Sequence, residues 1–383
     1  MEKAVEYYTK AIEIVDPTDK TAAVYFSNRA FAQIKLENYG SALGDADAAI
    51  AVDPTFPKSY YRKSSSLFAL GKLDEAIKEL EKIQKILNIV NNADVNEKLK
   101  FLRQAKKEKE FLACIQYEDE FDKIDEEGIA VEPSYNGPVV SRKEPITREW
   151  VLELLEFMRA QKKLHKKYLW VLLKMISELL DKEANVVTVT VDAESVSEIT
   201  VCGDIHGQYY DLLNIFKKNG YPTRERPYLF NGDFVDRGSF SVECVIALYA
   251  FKLCDPACIY LNRGNHENPD LNKMYGFEGE VLAKYCAKTF NLFKHSFYML
   301  PLAHVLNKKV LVLHGGLFEK DGVKLEDLQK INRKQPVPQE GLMCDMLWAD
   351  PTFKTGRHKS QRGVSIEFGP DIAEKFLNDN NLG

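Results

Sequence analysis

Gly232-Asp233-Phe234-Val235-Asp236-Arg237-Gly238 follows the short apolar run Tyr228 to Phe230, and this order predicts a loop at the end of a buried strand. Three further stretches follow apolar runs in the same way: Gly203-Asp204-Ile205-His206-Gly207 after Ile199 to Cys202, Arg263-Gly264-Asn265-His266-Glu267 after Cys258 to Leu261, and His314-Gly315-Gly316 after Val310 to Leu313. Open α/β sheets place their ligands at such strand ends. The four stretches together therefore predict a ligand site at the strand ends.

The residue types in these stretches indicate a centre of two divalent metal ions. We expect Asp204 and His206 to share one ion. Asn265 and His314 would hold the second, and the two carboxylate oxygens of Asp233 would bridge the pair. Such mixed oxygen and nitrogen ligands suit Mn²⁺, Fe or Zn²⁺ better than Ca²⁺. Two ions about 3.5–4 Å apart activate water and clamp the attacking and leaving oxygens, which is what the slow hydrolysis of a phosphate monoester requires.

Three neighbouring residues complete the predicted chemistry. His266 is expected to be the general acid for the leaving oxygen, with Asp236 orienting its ring and tuning its pKa. Arg237 offers a planar fork for phosphate oxygens. Each residue taken alone could instead belong to a surface turn, a loop histidine or a structural ion pair. Four ordered clusters at successive strand ends favour the phosphoester site.

The composition indicates an ordinary globular protein rather than a nucleic-acid or membrane protein. With 28% charged and 45% hydrophobic residues in 383, the chain can form two or three domains with sizeable cores. The net charge of -5 gives no reason to expect nucleic acid, and no apolar stretch is long enough to span a membrane. The seven cysteines form no CxxC pair, so we expect a reducing compartment, cytoplasmic and nuclear.

The first part of the chain repeats a stripe of small and apolar residues at helical spacing. The stripes begin at Ala4, Ala42 and Ala76, which are 38 and then 34 residues apart. The second interval matches the period of about 34 residues of tetratricopeptide repeats, whose helix pairs stack into a continuous core. An unrelated helical bundle is the alternative. Met1 opens onto the second helix of the first unit, so we expect this repeat to lack its first helix.

The predicted fold class is α plus α/β, in four segments. Tetratricopeptide repeats occupy residues 1–90, a Lys-rich capping helix 91–115, an acidic linker 116–145 and an α/β catalytic domain 146–383. The linker is indicated by seven acids and one lysine between Tyr117 and Gly128, followed by prolines and a glycine. Helical spacing predicts two helices, over Val151–Met158 and Leu169–Leu180, that pack on the catalytic sheet.

The polar stretches resemble the phosphoprotein phosphatase family of serine/threonine phosphatases. Two further stretches extend the resemblance, Leu347-Trp348-Ala349-Asp350-Pro351 and Gln361-Arg362-Gly363-Val364-Ser365. By that resemblance the domain 146–383 is a calcineurin-like metallophosphoesterase with a central β-sandwich flanked by helices, and its substrates are phosphoproteins. Arg362 would then be a second phosphate-binding arginine, beside Arg237 and Asn265. Asn262 departs from the leucine usual before Arg263, which we interpret as a strand-end variation with little mechanistic weight.

The resemblance extends to family members that carry tetratricopeptide repeats. In those members a clamp of basic and amide side chains binds the acidic C-terminal tail of the heat-shock protein 90 chaperone, and Asn28, Lys58 and Arg62 match three clamp positions. Lys58 and Arg62 share one helix face, although they could simply be solvated. The repeats of such members also inhibit the active site, so autoinhibition is implied.

The chain stops at Gly383, before the segment in which family members carry a further histidine that ligates the second metal. We therefore expect a catalytic domain that is incomplete at its C-terminus, with five of six metal ligands and weak or no activity of the chain by itself. Loss of the first repeat helix predicts weak chaperone binding. A noncatalytic adaptor and a metallophosphoesterase acting on nucleotides are the alternatives; the repeats and the stretches around Asp350 and Arg362 argue against the latter.

Overall fold

A computed structural model describes residues 1–17, 19–87, 92–114, 121, 125–126, 128–191 and 198–383. The chain forms two compact units. Unit 1 comprises Met1–Glu118 together with His358–Glu367, and unit 2 comprises Asp119–Arg357 together with Phe368–Gly383. The predicted domain 146–383 therefore differs from unit 2, because a segment of ten residues near its end groups with the repeats.

Among the described residues, six helices belong to unit 1, and they confirm the predicted tetratricopeptide architecture. They are α1 Glu2–Ile14, α2 Lys20–Lys35, α3 Tyr39–Val52, α4 Pro57–Ala69, α5 Leu73–Leu87 and α6 Ala93–Cys114. Ala42 and Ala46 of the second stripe are fully buried against Ala30 and Ile34 of the preceding helix. Small side chains at these positions let the two helix backbones approach closely, and this close packing forms the core of the repeat. Helix α1 has no buried residue.

Two three-stranded sheets form the predicted sandwich of unit 2. One sheet has the order β1-β5-β6, with β1 Val186–Val189, β5 Ala303–Leu306 and β6 Val310–Leu313. The other has the order β2-β3-β4, with β2 Thr200–Cys202, β3 Tyr228–Phe230 and β4 Ile259–Leu261. Val189 and Leu306 from the first sheet pack against Leu229 from the second in one buried apolar cluster. This contact layer holds the two sheets together.

The strands of the second sheet run parallel, and helices connect them in sequence. Helix α9 Tyr209–Asn219 lies between β2 and β3, and helix α10 Ser241–Cys254 lies between β3 and β4. Parallel strands joined in this way have their carboxyl ends at one edge of the sheet. The first three polar stretches follow directly from these ends, and the fourth follows β6. The predicted placement of all four stretches at strand ends is confirmed.

Helices surround the sandwich and supply most of the apolar core. They are α7 Arg148–Arg159, α8 Lys166–Leu180, α11 Pro269–Tyr275, α12 Phe277–Lys284, α13 Ala287–Met299, α14 Leu325–Gln329, α15 Leu342–Trp348 and α16 Pro370–Asp379. Three short strands, β7 Asp350–Pro351, β8 Arg357–Lys359 and β9 Ile366–Phe368, lie near the end of the chain. The predicted helices α7 and α8 join the core through faces that include Leu155 and Leu173. Within the described ranges, no helix is both long and apolar enough to cross a membrane.

The segment predicted as a free acidic linker is partly packed onto unit 2. Residues 115–120, 122–124 and 127 of this prediction lie outside the described residues. Glu126, however, is buried and accepts a hydrogen bond from Lys174 at 2.8 Å, with Arg142 3.1 Å away. Val140 belongs to the main apolar core. Two cations, Lys174 and Arg142, thus neutralise the buried carboxylate. The exact segment boundaries stay predictions.

Candidate active site

The predicted site residues occupy backbone conformations that are costly for non-glycine residues. His206, Asp233, Asp236 and Arg237 have φ angles of 43°, 54°, 71° and 64°. Such left-handed conformations cost about 1–3 kcal/mol each and persist only where the surroundings impose them. Here the loops after β2 and β3 are hydrogen-bonded to each other, because the backbone N–H groups of Ile205 and His206 donate to the Asp233 carbonyl at 3.0 and 2.9 Å. This pairing brings His206 and Asp233 together.

His206 is oriented as a metal ligand by its backbone contact. Its Nδ1 lies 2.8 Å from the carbonyl of Val235, so the neutral ring donates there and leaves the Nε2 lone pair exposed toward carboxylates. That Nε2 lies 3.8 Å from Asp204 Oδ2 and 3.6 Å from Asp233 Oδ2. Burial lowers the pKa of His206 despite the nearby Asp233 carboxylate. A neutral imidazole facing two carboxylates fits a divalent cation.

His314 repeats this arrangement on the other oxygen of Asp233. Its Nδ1 lies 2.7 Å from the Asn231 carbonyl, while its Nε2 lies 2.7 Å from Asn265 Oδ1 and 3.4 Å from Asp233 Oδ1. Burial by itself would lower the pKa of His314, but the charge of Asp233 raises it above the usual value. Donor atoms of Asp204, Asp233 and His314 all lie within 4.8 Å of one another. Asp204, which we expected at the first ion, thus lies with Asp233 and His314, and two carboxylates with an imidazole can together hold a cation.

Glu267 ties the loop after β4 to the loop after β3, a role that the sequence did not predict. Its fully buried carboxylate accepts hydrogen bonds from three backbone N–H groups, those of Asp233, Phe234 and Gly264, at 2.9, 2.8 and 2.7 Å. Burial and then the charge of Asp233 raise its pKa to about 7. The sequence held a signal for this role. Glu267 directly follows the predicted general acid in a loop that should be buried, and a buried carboxylate needs hydrogen-bond donors.

Two glycines are required by close approach to the ligands. A Cβ atom on Gly264 would lie 2.2 Å from Asp233 Oδ1. Gly232 has a φ angle of +89°, and a Cβ there would lie 2.9 Å from His314 Nδ1. Any side chain at either position would displace a predicted metal ligand.

The predicted acid and its orienting carboxylate form a fully buried pair. His266 Nδ1 lies 2.7 Å from Asp236 Oδ2, and neither side chain is exposed to solvent. Asp236 also accepts hydrogen bonds from Asn272 Nδ2 and from the Phe277 backbone N–H, each at 3.0 Å. These contacts fix Nδ1 of His266 as the donor to Asp236. Donor atoms of His266, His206 and Asp233 lie within 4.8 Å of one another, so the acid adjoins the metal ligands.

The three predicted phosphate-binding residues are distributed over both units. Arg237 is exposed in unit 2, and its guanidinium carbon lies 5.8 Å from the centre of the Tyr275 ring. Asn265 is buried beside His314, and its Nδ2 has no hydrogen-bond partner among the described residues. This free donor suits a phosphate oxygen. Arg362 belongs to unit 1, where its Nη1 lies 3.6 Å from Glu37 Oε2.

Asn262 has many more contacts than a strand-end variation requires. It is fully buried, and its Nδ2 donates to Asn231 Oδ1 at 2.7 Å and to the Val312 carbonyl at 3.1 Å. Its Oδ1 accepts from His304 Nδ1 at 2.7 Å. The departure from leucine at this position was the available signal, but the partners Asn231 and His304 lie 31 and 42 residues away in the sequence.

The three residues predicted to bind a chaperone tail lie on α2 and α4 of unit 1. Asn28 precedes Phe31 by one helical turn on α2, and Arg62 of α4 stacks on the Phe31 ring with its guanidinium carbon 4.2 Å from the ring centre. Burial lowers the pKa of Arg62, and its Nε has no hydrogen-bond partner among the described residues. Lys58 is exposed one turn earlier on α4.

The family matches agree with the two-part architecture. Residues 197–383 match the calcineurin-like phosphoesterase family, residues 57–86 match the tetratricopeptide repeat, and residues 99–188 match the PPP5 TPR repeat region. The phosphoesterase match covers the strands and loops that carry all the predicted metal ligands. This family assignment implies bound divalent metal ions.

Individual relatives share most of the chain. It is 44% identical to serine/threonine-protein phosphatase 5 of Homo sapiens over 385 residues, covering 100% of this chain and 75% of the human protein. It is 43% identical to serine/threonine-protein phosphatase T of Aspergillus oryzae, covering 99% of this chain and 78% of that protein. A solved protein serine/threonine phosphatase from Saccharomyces cerevisiae, described as similar to human phosphatase PP5, has a TM-score of 0.60 at 41% identity and covers 62% of this chain and 75% of that chain. The chain therefore belongs to the serine/threonine-protein phosphatase 5 family, whose members are protein phosphatases with tetratricopeptide repeats.

Proposed function

We propose that the chain hydrolyses phosphoserine and phosphothreonine monoesters in proteins with two divalent metal ions. The observation that carries the proposal is the position of Asp233, whose two carboxylate oxygens face the Nε2 atoms of two different histidines, His206 and His314, at 3.6 and 3.4 Å. A carboxylate placed in this way can bridge two cations. Asp204 would complete the ligands of the first ion and Asn265 those of the second.

Bound divalent ions supply positive charge that lowers the pKa of water and neutralises the phosphate oxygens. The chain's own residues bind the phosphate and supply the proton for the leaving group. The free Nδ2 of Asn265 and the guanidinium groups of Arg237 and Arg362 donate to phosphate oxygens. As water attacks phosphorus and the P–O bond to the serine or threonine breaks, His266 donates a proton to the departing oxygen. Asp236 holds the ring in place and stabilises its protonated form.

Metal removal and return tests this proposal. The 383-residue chain is treated with EDTA, dialysed and assayed on a phosphoserine peptide with and without added Mn²⁺. We expect weak hydrolysis that depends on Mn²⁺, with two ions bound per chain by elemental analysis. The Asp233→Asn variant should bind fewer ions and should not recover hydrolysis, because the bridging charge is lost.

The control for this test is Asp321→Asn, a carboxylate on the surface of unit 2 that pairs with Arg357 and Lys375 at 2.7 Å. Its metal content and hydrolysis should match those of the wild type. A wild-type chain that binds two ions and releases no more phosphate than Asp233→Asn would contradict catalysis and favour the adaptor function.

Unit 1 is proposed to bind the acidic C-terminal tail of the heat-shock protein 90 chaperone. The partly buried guanidinium of Arg62 stacks on Phe31 with an unpaired Nε, which prepares it for a carboxylate. Lys58, one turn away on the same helix, and Asn28 on α2 add a second cation and an amide. Such a basic and amide surface is complementary to a short acidic peptide.

Autoinhibition is proposed to act through Arg362. Within unit 1 the Gly40 backbone N–H donates to the Arg362 carbonyl at 3.0 Å, and the Ser41 N–H donates to the Gln361 carbonyl at 3.1 Å. The buried carboxylate of Glu37 lies 3.6 Å from the Arg362 guanidinium. A substrate phosphate would need the same guanidinium, so Glu37 competes with the substrate.

A cytoplasmic and nuclear location and loading with Mn, Fe or Zn complete the proposal. The cysteines Cys202, Cys244, Cys254, Cys258, Cys286 and Cys344 are free thiols in the structure. Free thiols on this many described cysteines suit a reducing compartment. The mixed carboxylate, amide and imidazole donors suit the three named metals.

A further inference from the structure

A chain of buried polar side chains connects the two sheets of the sandwich at the end that carries the predicted metal ligands. It consists of Asn231 after β3, Asn262 after β4 and His304 on β5. Asn262 and His304 are completely buried, although amide and imidazole groups in an apolar interior are costly unless they are paired. We propose that these three residues form a positioning network that sets the distance between the sheets and thereby the affinity of the second metal position. The inference rests on the proposed two-metal function.

The hydrogen bonds determine the orientation of each group in the network. Asn231 Nδ2 donates to the Leu313 carbonyl at 2.9 Å, so its Oδ1 faces Asn262 and accepts from Nδ2 at 2.7 Å. Asn262 Nδ2 also donates to the Val312 carbonyl, which leaves its Oδ1 for His304. His304 must therefore donate through Nδ1–H. Both N–H groups of Asn262 are used, and these bonds orient the two amides in one arrangement.

His304 remains neutral and keeps this role over the physiological range. Burial, and then the positive charge of Lys252, lower its pKa to about 3. Its Nε2 has no hydrogen-bond partner among the described residues, and its ring meets that of Tyr260 edge to face at 5.4 Å. Burying Nε2 without a partner costs free energy, and the hydrogen bond from Nδ1–H to Asn262 offsets this cost. This cost indicates that the contact with Asn262 matters to the fold around the site.

The network adjoins the predicted ligands of the second metal position on both sheets. Asn231 precedes Asp233 by two residues, and Asn262 precedes Asn265 by three, both on the β2-β3-β4 sheet. On the other sheet, the carbonyls of Val312 and Leu313 that accept from the network belong to β6, directly before His314. The Asn231 backbone carbonyl itself accepts from His314 Nδ1 at 2.7 Å. The network therefore fixes His314 relative to ligands that the opposite sheet supplies.

Leucine at position 262, the residue usual in the family, cannot make these contacts. In this chain it would leave the Asn231 amide oxygen and the His304 Nδ1–H buried without partners. The sheets would then relax at this end, and a ligand set spread over both sheets would lose its spacing. A metal position whose ligands all lie on the loops of one sheet, such as Asp204 and His206 with Asp233, would be spared.

Calorimetric titration of the metal-free 383-residue chain with Mn²⁺ tests the network through binding rather than activity. The second ion is identified as the one whose binding His314→Ala abolishes. In Asn262→Leu and His304→Phe, we expect this ion to bind about 10-fold more weakly, since changes behind metal ligands typically cost about 10–100-fold in affinity. The first ion should bind as in the wild type. The double variant should lose no more than either single variant, because the residues act as one unit.

Two variants separate positioning from general destabilisation. His304→Gln keeps an N–H donor for Asn262 and should restore second-ion affinity to within about twofold of the wild type. Leu306→Ala removes apolar packing between the same sheets and should lower the melting temperature without changing the ratio of the two affinities. Circular dichroism verifies that each variant is folded.

The outcomes distinguish this inference from the proposed function. A wild-type chain that binds fewer than two ions contradicts both. A wild-type chain that binds two ions, with unchanged second-ion affinity in folded His304→Phe, contradicts the positioning network alone. Equal weakening of both ions, or an equal loss of second-ion affinity in Leu306→Ala, also contradicts it.

Discussion

Unit 1 presents the side chains predicted to bind a partner on helix surfaces, whereas unit 2 buries the predicted general acid and the carboxylate that orients it. Lys58 is exposed and Arg62 stacks on an aromatic ring beside solvent, while His266 and Asp236 have no exposed surface. Surface groups in water act almost independently, because solvent replaces a lost partner. Buried groups have no such replacement and depend on one another.

This contrast between exposed and buried groups predicts where a single substitution should have a large effect. In the catalytic unit each ligand is held by a second residue, as His206 is by the Val235 carbonyl and Asp233 by Glu267. Removal of one group leaves another buried and unpaired, with the full cost of desolvation. In the repeat unit the same removal leaves the helix intact. The following variants test this contrast, from the largest expected effect to the smallest.

His266→Gln should reduce kcat for a phosphoserine peptide by about 10²–10⁴-fold, the contribution of a positioned general acid. Substrates with a leaving group that needs no proton, such as an aryl phosphate with a low pKa phenol, should lose much less. For each substrate, the measurement is the ratio of kcat in the wild type to kcat in His266→Gln at saturating Mn²⁺. His165→Gln is the control, because His165 is another histidine of unit 2, partly buried and paired with Glu132 at 3.0 Å. Equal loss on both substrates would contradict the acid role of His266.

Arg62→Ala should weaken binding of a heat-shock protein 90 C-terminal peptide by about 10-fold, as expected for an arginine that loses a charge-assisted contact. Fluorescence anisotropy with the labelled peptide and the 383-residue chain measures this change. Lys10→Ala is the control, since Lys10 is 60% exposed on α1 and pairs only locally with Glu6. Its affinity should equal that of the wild type. An unchanged affinity in Arg62→Ala would remove Arg62 from the proposed clamp.

Glu37→Gln should raise the basal rate of hydrolysis by about two- to fivefold. The ion pair with Arg362 is long and partly exposed, so its loss is worth no more than about 1 kcal/mol. The gain should appear in initial rates without chaperone peptide. Glu13→Gln, on the exposed face of α1, should leave the rate unchanged. A lower rate in Glu37→Gln would contradict the proposed competition with substrate.

The repeat unit and the strand ends were predictable because their signals are local. Alanine stripes at helical spacing predicted α3 and α5, and the apolar run Tyr228 to Phe230 predicted β3 with the same bounds. The contact of Glu126 with Lys174 was not predictable from the composition of the linker, because the two residues lie 48 positions apart in the sequence. The role of Glu267 was missed for a related reason. Its partners are backbone N–H groups, and every residue type except proline has one, so the amino-acid sequence does not reveal them.

The sequence by itself determined which side chains lie at strand ends and that their types suit a phosphatase metal centre. Only the tertiary structure decided that the two oxygens of Asp233 face different histidines, that Glu267 ties the loops together, and that Asn262 meets His304 between the sheets. The physical reason is that secondary structure follows from the periodicity of neighbouring residues, whereas hydrogen bonds across a sandwich depend on how distant strands pack. Buried polar groups must find those distant partners, and their positions become apparent only when the core is assembled.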